Sequence, residues 1–355
     1  MSARRHIAIG DPQAPFTAVL EVLDRSRLLS ESGTLKDDVQ LVSIGDHFDW
    51  GAVGDRARAT ADGIALVAWL TSHPPDQVVL LAGNHDLARV CELSHFADDE
   101  AFLEARALAD AAYRRGDVDE AAQAQFLERY PHLPDAEALA RDYSCFSTQQ
   151  RRVVELAVRE GRFRLAHAHG GRLLIHAGVT APDLEVLQVP ATDAESAAQG
   201  LNMRFDERVA AWTGGPLELG LMYQPGSARS GSSRGFCSHR PGDPAREGAK
   251  AQDFKGPARR RYDPRTLPAA FGQIVGHIRD KKCRELMPDW AVGAPAGDGP
   301  LRSLEIDGEA VRYQAGARPG ARLTFIDGGL LHTTPQAYQL LDLDTFEVLS
   351  PPRSG

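Results

Sequence analysis

The sequence predicts an α/β fold built around a parallel sheet. Across the first hundred residues, short apolar runs alternate with helical patterns, and the third run, Val78–Ala82, is apolar throughout rather than at every second residue. Strands buried on both faces read that way. Just past three predicted strand ends stand Gly10-Asp11, Gly45-Asp46 and Gly83-Asn84-His85-Asp86. Ligands of open α/β sheets bind outside the carboxyl ends of the strands, so these clusters predict a site at one sheet edge.

His6–Ile9 reads as the first strand, and Thr17 as the cap of a helix running to about Leu29. Val39–Ile44 and Val78–Ala82 are the next strands, separated by a helical pattern over Ala61–Leu70. From Ala97 to Gly161 the texture changes to Ala, Glu, Arg, Leu and Gln, predicting a helical insertion over 97–161 that covers the core. Within it, Ala101–Arg115 is a strong helix former, Gly116 a stop, and Pro131 and Pro134 breaks. Phe163–His169 and Arg172–Ile175 flank Gly170-Gly171, a hairpin turn. The Gly, Pro, Ser and Arg content of Val179–Leu267 predicts a loop-rich insertion over 185–270. Gln273–Gly276 is a short strand, and Leu301–Ile306 and Glu309–Gln314 flank Asp307-Gly308, a type I′ hairpin signal. Leu323–Ile326 and Ala337–Leu343 close a single domain over 1–350, without internal repeats.

The chain has 355 residues, 43% apolar and 25% charged, which excludes wholesale disorder. Lys and Arg number 40 against 49 Asp and Glu, and the net charge of −9 argues against general nucleic-acid binding or an anionic membrane. Cys91, Cys145, Cys237 and Cys283 have no CxxC spacing, so neither a disulfide framework nor a zinc knuckle is expected. No run approaches the ~18 apolar residues of a membrane span, and Met1–Ile9 lacks the core of a signal peptide. The expectation is a reduced, cytoplasmic protein.

Gly45-Asp46-His47-Phe48-Asp49-Trp50-Gly51 holds two carboxylates and a histidine in one turn. Asn84, His85 and Asp86 after a buried strand are expensive to bury unpartnered, so a partner is implied. Along the chain the order is Asp11-Pro12-Gln13, Gly45–Gly51, Gly83–Asp86, Ile175-His176-Ala177-Gly178 and Val275-Gly276-His277. This series resembles the calcineurin-like metallophosphoesterases. His176–Leu184 is similar to the His-Gly-Gly-Leu-Ser-Pro-Asp-Leu run of phosphoprotein phosphatases. Phe325–Gly329 and Leu340–Thr345 resemble that branch's closing strands, so the resemblance runs from Asp11 to about Val348 outside the two insertions.

The resemblance implies a sandwich of two mixed sheets flanked by helices, and a hydrolase acting on a phosphomonoester through a metal-activated water attacking in line. It implies two divalent metal ions, Mn2+ first and Fe or Zn as alternatives, because mixed oxygen and imidazole ligands suit these ions. By position, Asp46 would bridge the ions, Asp11 and Gln13 would complete the first site, and Asn84, His176 and His277 would bind the second. His85 would be the general acid, oriented by Asp49. Asn84 would also touch the phosphate. The implied substrate is a phosphoprotein, in a Ser/Thr-type phosphatase, with a dinucleoside polyphosphate as the alternative. A reading of another class is a catalytically weak module that holds metal and phosphate; retention of His85 and Asp49 counts against it.

Three positions depart from the family pattern. Gln13 stands where the first motif, Asp-x-His, has histidine, and an amide oxygen is the weaker ligand for a transition metal. Trp50 replaces the phosphate-gripping Arg usual in phosphoprotein phosphatases, leaving Arg279, Arg234 and Arg229 as candidates. Gly276-His277-Ile278-Arg279 replaces the Gly-His-x-His of many phosphodiesterases, which counts against the nuclease and cyclic-nucleotide branches.

Other residues take plainer roles. His167 and His169 share a strand face and read as structural, His47, His95 and His239 as solvated loop residues, and Asp327 as a turn residue. Between Gly226 and Arg284, 14 Lys and Arg stand against 5 acids, a basic stretch that could steer an anionic substrate. From the Gln13 departure we predict that Gln13→His tightens binding at the first metal position. Calorimetric titration checks this, and an unchanged affinity would mean that Gln13 is no ligand.

Overall fold

The computed structural model describes residues 4–349. Its strands are β1 (Arg5–Ile9), β2 (Val39–Ser43), β3 (Val78–Leu81), β4 (Phe163–Arg164), β5 (Ala166–His169), β6 (Arg172–Ile175), β7 (Gly272–Val275), β8 (Arg302–Asp307), β9 (Ala310–Ala315), β10 (Leu323–Phe325), β11 (Leu340–Asp342) and β12 (Val348–Leu349). They form two six-stranded mixed sheets, ordered β12-β11-β1-β2-β3-β4 and β9-β8-β10-β7-β6-β5. β1 to β4 run parallel, as do β6, β7 and β10, and the remaining strands add antiparallel edges. Shorter two-stranded pairs lie outside the sheets.

Side-chain alternation sorts each strand between two cores. Ala8, Val42, Leu81, Leu174 and Ile274 fill the layer between the sheets with Leu301, Ile326 and Leu341. Their neighbours Ile7, Ile9, Leu41, Leu80, Leu173 and Val275 belong to the outer core. The helices α1 (Phe16–Arg25) and α2 (Arg56–Ser72) add Val19, Val22, Leu66, Val67 and Leu70 to it. Both strand faces are therefore apolar, which is why the runs read as continuous.

After β3 comes the short α3 (Asn84–Ala88), then α4 (Asp99–Ala112) and α5 (Glu120–Arg129), joined by the small hairpin 113–118. Phe96, Phe102, Phe126, Leu133, Leu139 and Phe146 give this cap a hydrophobic cluster of its own. Arg56 ties it to the body, through Asp110 at 2.6 Å and the Ala140 carbonyl at 2.6 Å. The next helix, α6 (Thr148–Arg159), packs on α2, and its Val154, Ala157 and Val158 join the main core.

Several boundaries differ from the sequence reading. α1 starts at Phe16 behind Pro15, with no side-chain cap from Thr17. It stops at Arg25 because Arg27 takes a left-handed φ of 58° and turns the Leu28 N–H back to the Leu23 carbonyl. α2 begins earlier, at Arg56. The segment read as loop-rich contains α7 (Ala181–Val186) and the 18-residue α8 (Ala194–Ala211), so its Gly, Pro and Arg content describes only the chain beyond. Asp193 caps α8, and Asn202 binds the Leu165 N–H and the Ala166 carbonyl along the edge strand β5. The β8–β9 turn uses Gly308 at φ +58° and Glu309, with Asp307 paired to Ala310; only the first loop residue has positive φ, so it is type II′ rather than I′. β11 is shorter than read, because the Ala337 and Tyr338 N–H groups turn back to Thr334. The last helix is α9 (Asp280–Leu286).

Ile274 is fully buried between the sheets. We expect Ile274→Ala to lower the unfolding free energy by about 2–5 kcal/mol, measured by urea denaturation.

Candidate metal centre

The sandwich brings the carboxyl ends of strands from both sheets to one edge. Asp11 follows β1, Asp46 follows β2, and Asn84 and His85 follow β3; His176, His277 and Asp327 follow β6, β7 and β10. These ends can meet only where side chains are missing. A Cβ on Gly83 would stand 2.1 Å from Asp46 Oδ1, and one on Gly276 would stand 2.0 Å from Asp11 Oδ1. Asp46, Asp49 and His277 themselves adopt left-handed backbone, with φ of 59°, 63° and 66°. Such conformations are uncommon for non-glycine residues and persist where the surroundings enforce them.

Asp46, His176 and His277 offer ligand atoms that all lie within 4.8 Å of one another. His176 donates Nδ1–H to the Ile44 carbonyl at 3.0 Å, which turns Nε2 toward Asp46 Oδ2 at 3.4 Å and Asn84 Oδ1 at 3.2 Å. His277 donates Nε2–H to the Ser238 carbonyl at 3.0 Å, leaving Nδ1 as its lone-pair nitrogen. A backbone carbonyl thus fixes each tautomer, as is usual for metal-binding histidines. Gln13 donates Nε2–H to the Phe48 carbonyl at 2.8 Å, and its amide oxygen has no hydrogen bond among the described residues. The Asp11 carboxylate accepts the His277 N–H at 3.0 and 2.9 Å.

The charges call for a cation. Burial raises the pKa of Asp11 well above the usual carboxylate range, and Asp327 and Asp46 add to the shift. Burial likewise pushes Asp327 up to about 7. Asp46 is held low against its own burial by His176 and His85. Burial and the neighbouring Arg240 keep His277 well below the ordinary imidazole value, hence neutral, as a ligand must be. Burial would lower His176 too, but Asp46 raises it, so a bound cation would compete with a proton for Nε2. Buried carboxylates, an amide oxygen and two oriented imidazoles fit divalent ions.

Beside this cluster, His85 donates Nδ1–H to Asp49 Oδ2 at 2.9 Å, while its backbone N–H reaches Asp46 Oδ1 at 2.9 Å. Asp49 also holds Arg89 at 2.6 Å, and Arg89 in turn binds the His85 carbonyl at 2.7 Å and stacks on Phe48. Burial alone would lower His85 and raise Asp49. Instead Asp46 and Asp49 raise the imidazole, and Arg89 and His85 lower the carboxylate. His85 therefore favours its protonated form.

The predicted residues Asp11, Gln13, Asp46, Asp49, Asn84, His85, His277 and Arg279 line one cleft of about 930 Å³, with His176 buried beneath Asn84. Arg279 pairs with Asp298 at 3.1 Å. Arg234 does not line the cleft, and its Nη2 donates to the Ser230 carbonyl; Arg229 is also outside the lining. Arg240, Arg260 and Arg261 line it instead, with Lys250, Lys281 and Lys282, so the basic stretch forms a wall of the site. The cap supplies Asp135, Glu137, Arg141, Asp142 and Tyr143 to the lining.

Four features escaped the sequence reading. His47 is buried rather than solvated, donating Nδ1–H to Asp86 at 3.0 Å and facing Ser43 Oγ at 2.8 Å through Nε2. His239 is also buried, donating to the Gly178 carbonyl at 2.9 Å, whereas His95 is exposed as expected. Asp327 does shape its turn, accepting the Gly329 N–H at 2.9 Å, yet it also faces the Asp11 and Asp46 charges. Arg89, fully buried on an otherwise apolar stretch, was the one legible signal passed over, since a buried guanidinium requires a carboxylate.

Asp327→Asn tests the charge crowding. A carboxyl whose folded pKa is raised weighs against folding once pH passes its unfolded value, and increasingly so up to the folded one. Without metal, the variant should become more stable than the parent as pH rises from about 4 to about 7, with the gap level above. Thermal melts across pH check this, and saturating divalent ion should stabilise the parent more than the variant.

The family model of calcineurin-like phosphoesterases matches residues 5–183. No curated protein sequence matches the chain. Among solved structures it is similar to a cold-active protein-tyrosine phosphatase of a psychrophile, Shewanella sp., at 12% identity and TM-score 0.44, covering 96% of this chain and 75% of that one. It is also similar to a protein serine/threonine phosphatase from Saccharomyces cerevisiae, at 12% identity and TM-score 0.33, covering 90% and 68%. At these scores the likenesses bear on neither substrate nor residue roles. The family match spans half of the chain and reaches from β1 through the Thr180–Asp183 capping box, and this protein belongs to the calcineurin-like phosphoesterases, metal-dependent hydrolases of phosphoric ester bonds.

Proposed function

We propose that the chain is a phosphomonoesterase of the Ser/Thr protein phosphatase type. One observation carries the reading: the Asp49-held His85 beside the Asp46–His176–His277 cluster, in a cleft with one basic wall. Asp46 would help to hold the divalent ions. Asp11, Gln13 and Asp327 form an oxygen-rich half that suits Mn2+ or Mg2+, and Asn84, His176 and His277 form a nitrogen-richer half. Divalent ions, when bound, lower the pKa of water and draw charge from the phosphoryl oxygens.

The chain's own residues supply the rest. Asp49 orients His85 so that Nε2–H serves the leaving oxygen. As the P–O bond breaks, that proton passes to the departing alkoxide and leaves a neutral imidazole. Arg89, fully buried, fixes the Asp49 carboxylate and keeps it ionised. Asn84, Arg240 and Arg279 line the cleft and would hold phosphate oxygens, with Arg240 taking the place that Trp50 leaves unfilled. The cap wall and the basic wall leave room for a peptide carrying the phosphate. Four buried, unpaired cysteines suit a reducing compartment such as the cytoplasm. Among the described residues no helix is long and apolar enough to cross a membrane.

The purified protein with Mn2+ should hydrolyse an aryl phosphate and a phosphoserine peptide. No turnover with Mn2+, Mg2+, Fe2+ or Zn2+ would overturn the enzyme reading, and a clear preference for diadenosine tetraphosphate would overturn the protein-phosphatase part. His85→Asn should lower kcat about 10²–10⁴-fold. The loss should be greater for the serine phosphoester than for the aryl ester, whose leaving group needs less help from an acid. Equal losses on both would remove His85 from the acid role.

A further inference from the structure

A second cluster of two histidines and a carboxylate lies away from the cleft. His6 on β1, His169 at the end of β5 and Asp344 in the β11–β12 turn place ligand atoms all within 4.8 Å of one another. His6 Nδ1 stands 2.9 and 3.0 Å from the two Asp344 oxygens, and His169 Nε2 stands 2.8 Å from Oδ1. The imidazole centroids are 4.3 Å apart.

Three features make this a built site rather than a chance meeting of surface groups. The backbone presets Asp344: its own N–H and that of Thr345 bind Asp342 Oδ1 at 3.0 and 2.9 Å, and the His6 N–H reaches its Oδ2 at 3.0 Å. The histidines sit on strands, His6 in one sheet and His169 on the edge strand of the other. All three side chains are partly exposed, so an ion can enter and keep water in its remaining positions. Ligand atoms around a small divalent ion stand ~3.0–3.4 Å apart when the bonds are ~2.1 Å. The histidine–carboxylate separations of 2.8 and 2.9 Å would widen by about half an ångström or less.

We infer that His6, His169 and Asp344 form a second, structural metal site that staples the two sheets together. Two imidazoles and one carboxylate select zinc, or cobalt and nickel, over calcium or magnesium. His167, two residues before His169 on the same strand face, has a buried Nε2 without a partner, but it lies outside the ligand set. None of the three residues lines the cleft, so the ion would act on stability and not on the reaction.

Zinc titration of the chelator-stripped protein tests this. The parent should take up one equivalent more than either His169→Gln or Asp344→Asn, and zinc should raise Tm further in the parent than in these variants. Both variants should keep the manganese-dependent phosphatase rate of the parent, which also shows that they fold. Independently of any variant, NMR of the ¹⁵N-imidazole-labelled parent should show His6 Nδ1 and His169 Nε2 shifting as zinc is added. Equal stoichiometry in the three proteins, or ring nitrogens of His6 and His169 that stay in place, would mean a hydrogen-bonded triad only and overturn the proposal.

Discussion

The carboxylate of Asp86 is the contact on which the candidate site depends. It is fully buried and accepts the backbone N–H groups of Asp46, His47 and Gly83 at 2.9, 3.0 and 2.8 Å, together with the His47 ring. Those bonds tie the loop after β2 to the loop after β3. They hold Asp46 in a left-handed conformation that it would not adopt freely. A buried carboxylate is tolerable only when its lone pairs are used, and here they are spent on the backbone of the site itself. That one side chain fixes the backbone from which Asp46, Asn84 and His85 extend.

Around this anchor, charge is managed in pairs. Arg89 answers Asp49, and Asp49 answers His85, so the imidazole is oriented by a chain of buried contacts running into the core. Asp11 and Asp327 have no ion-pair contact among the described residues, and burial drives both carboxyls upward, for Asp327 against the opposing charge of Arg279. That asymmetry separates the two halves of the cluster. One half is a finished positioning device, and the other is complete only with a cation.

The insertions serve the cleft in different ways. The cap carries its own apolar cluster and is joined to the body through Arg56, while Asp135, Glu137, Arg141, Asp142 and Tyr143 face the cleft. The basic stretch reaches the site through Arg240, Arg260 and Arg261, and it reaches the metal cluster through the Ser238 carbonyl that fixes the His277 tautomer. An acidic chain thus presents a basic wall where a phosphate would enter.

The residue types after each strand were readable because their position is local. An apolar run ends, a glycine permits a close turn, and a polar group follows. Asp11, Asp46, Asn84, His85 and His277 obey that rule, His176 follows its strand without the glycine, and the structure gathers all six at one edge. The Gly170-Gly171 turn was equally local, with both residues at positive φ. What the sequence could not contain was which polar residue is buried against which. His47 and His239 look like loop histidines until Asp86 and the Gly178 carbonyl meet them. Asp327 looks like a turn residue until the second sheet carries it to Asp11, and Arg240 and Arg234 look alike until one faces the cleft and the other does not. Motif spacing is set by a few bonds along the chain. Burial, tautomer and charge crowding are set by residues tens to hundreds of positions apart, and only tertiary packing brings those together.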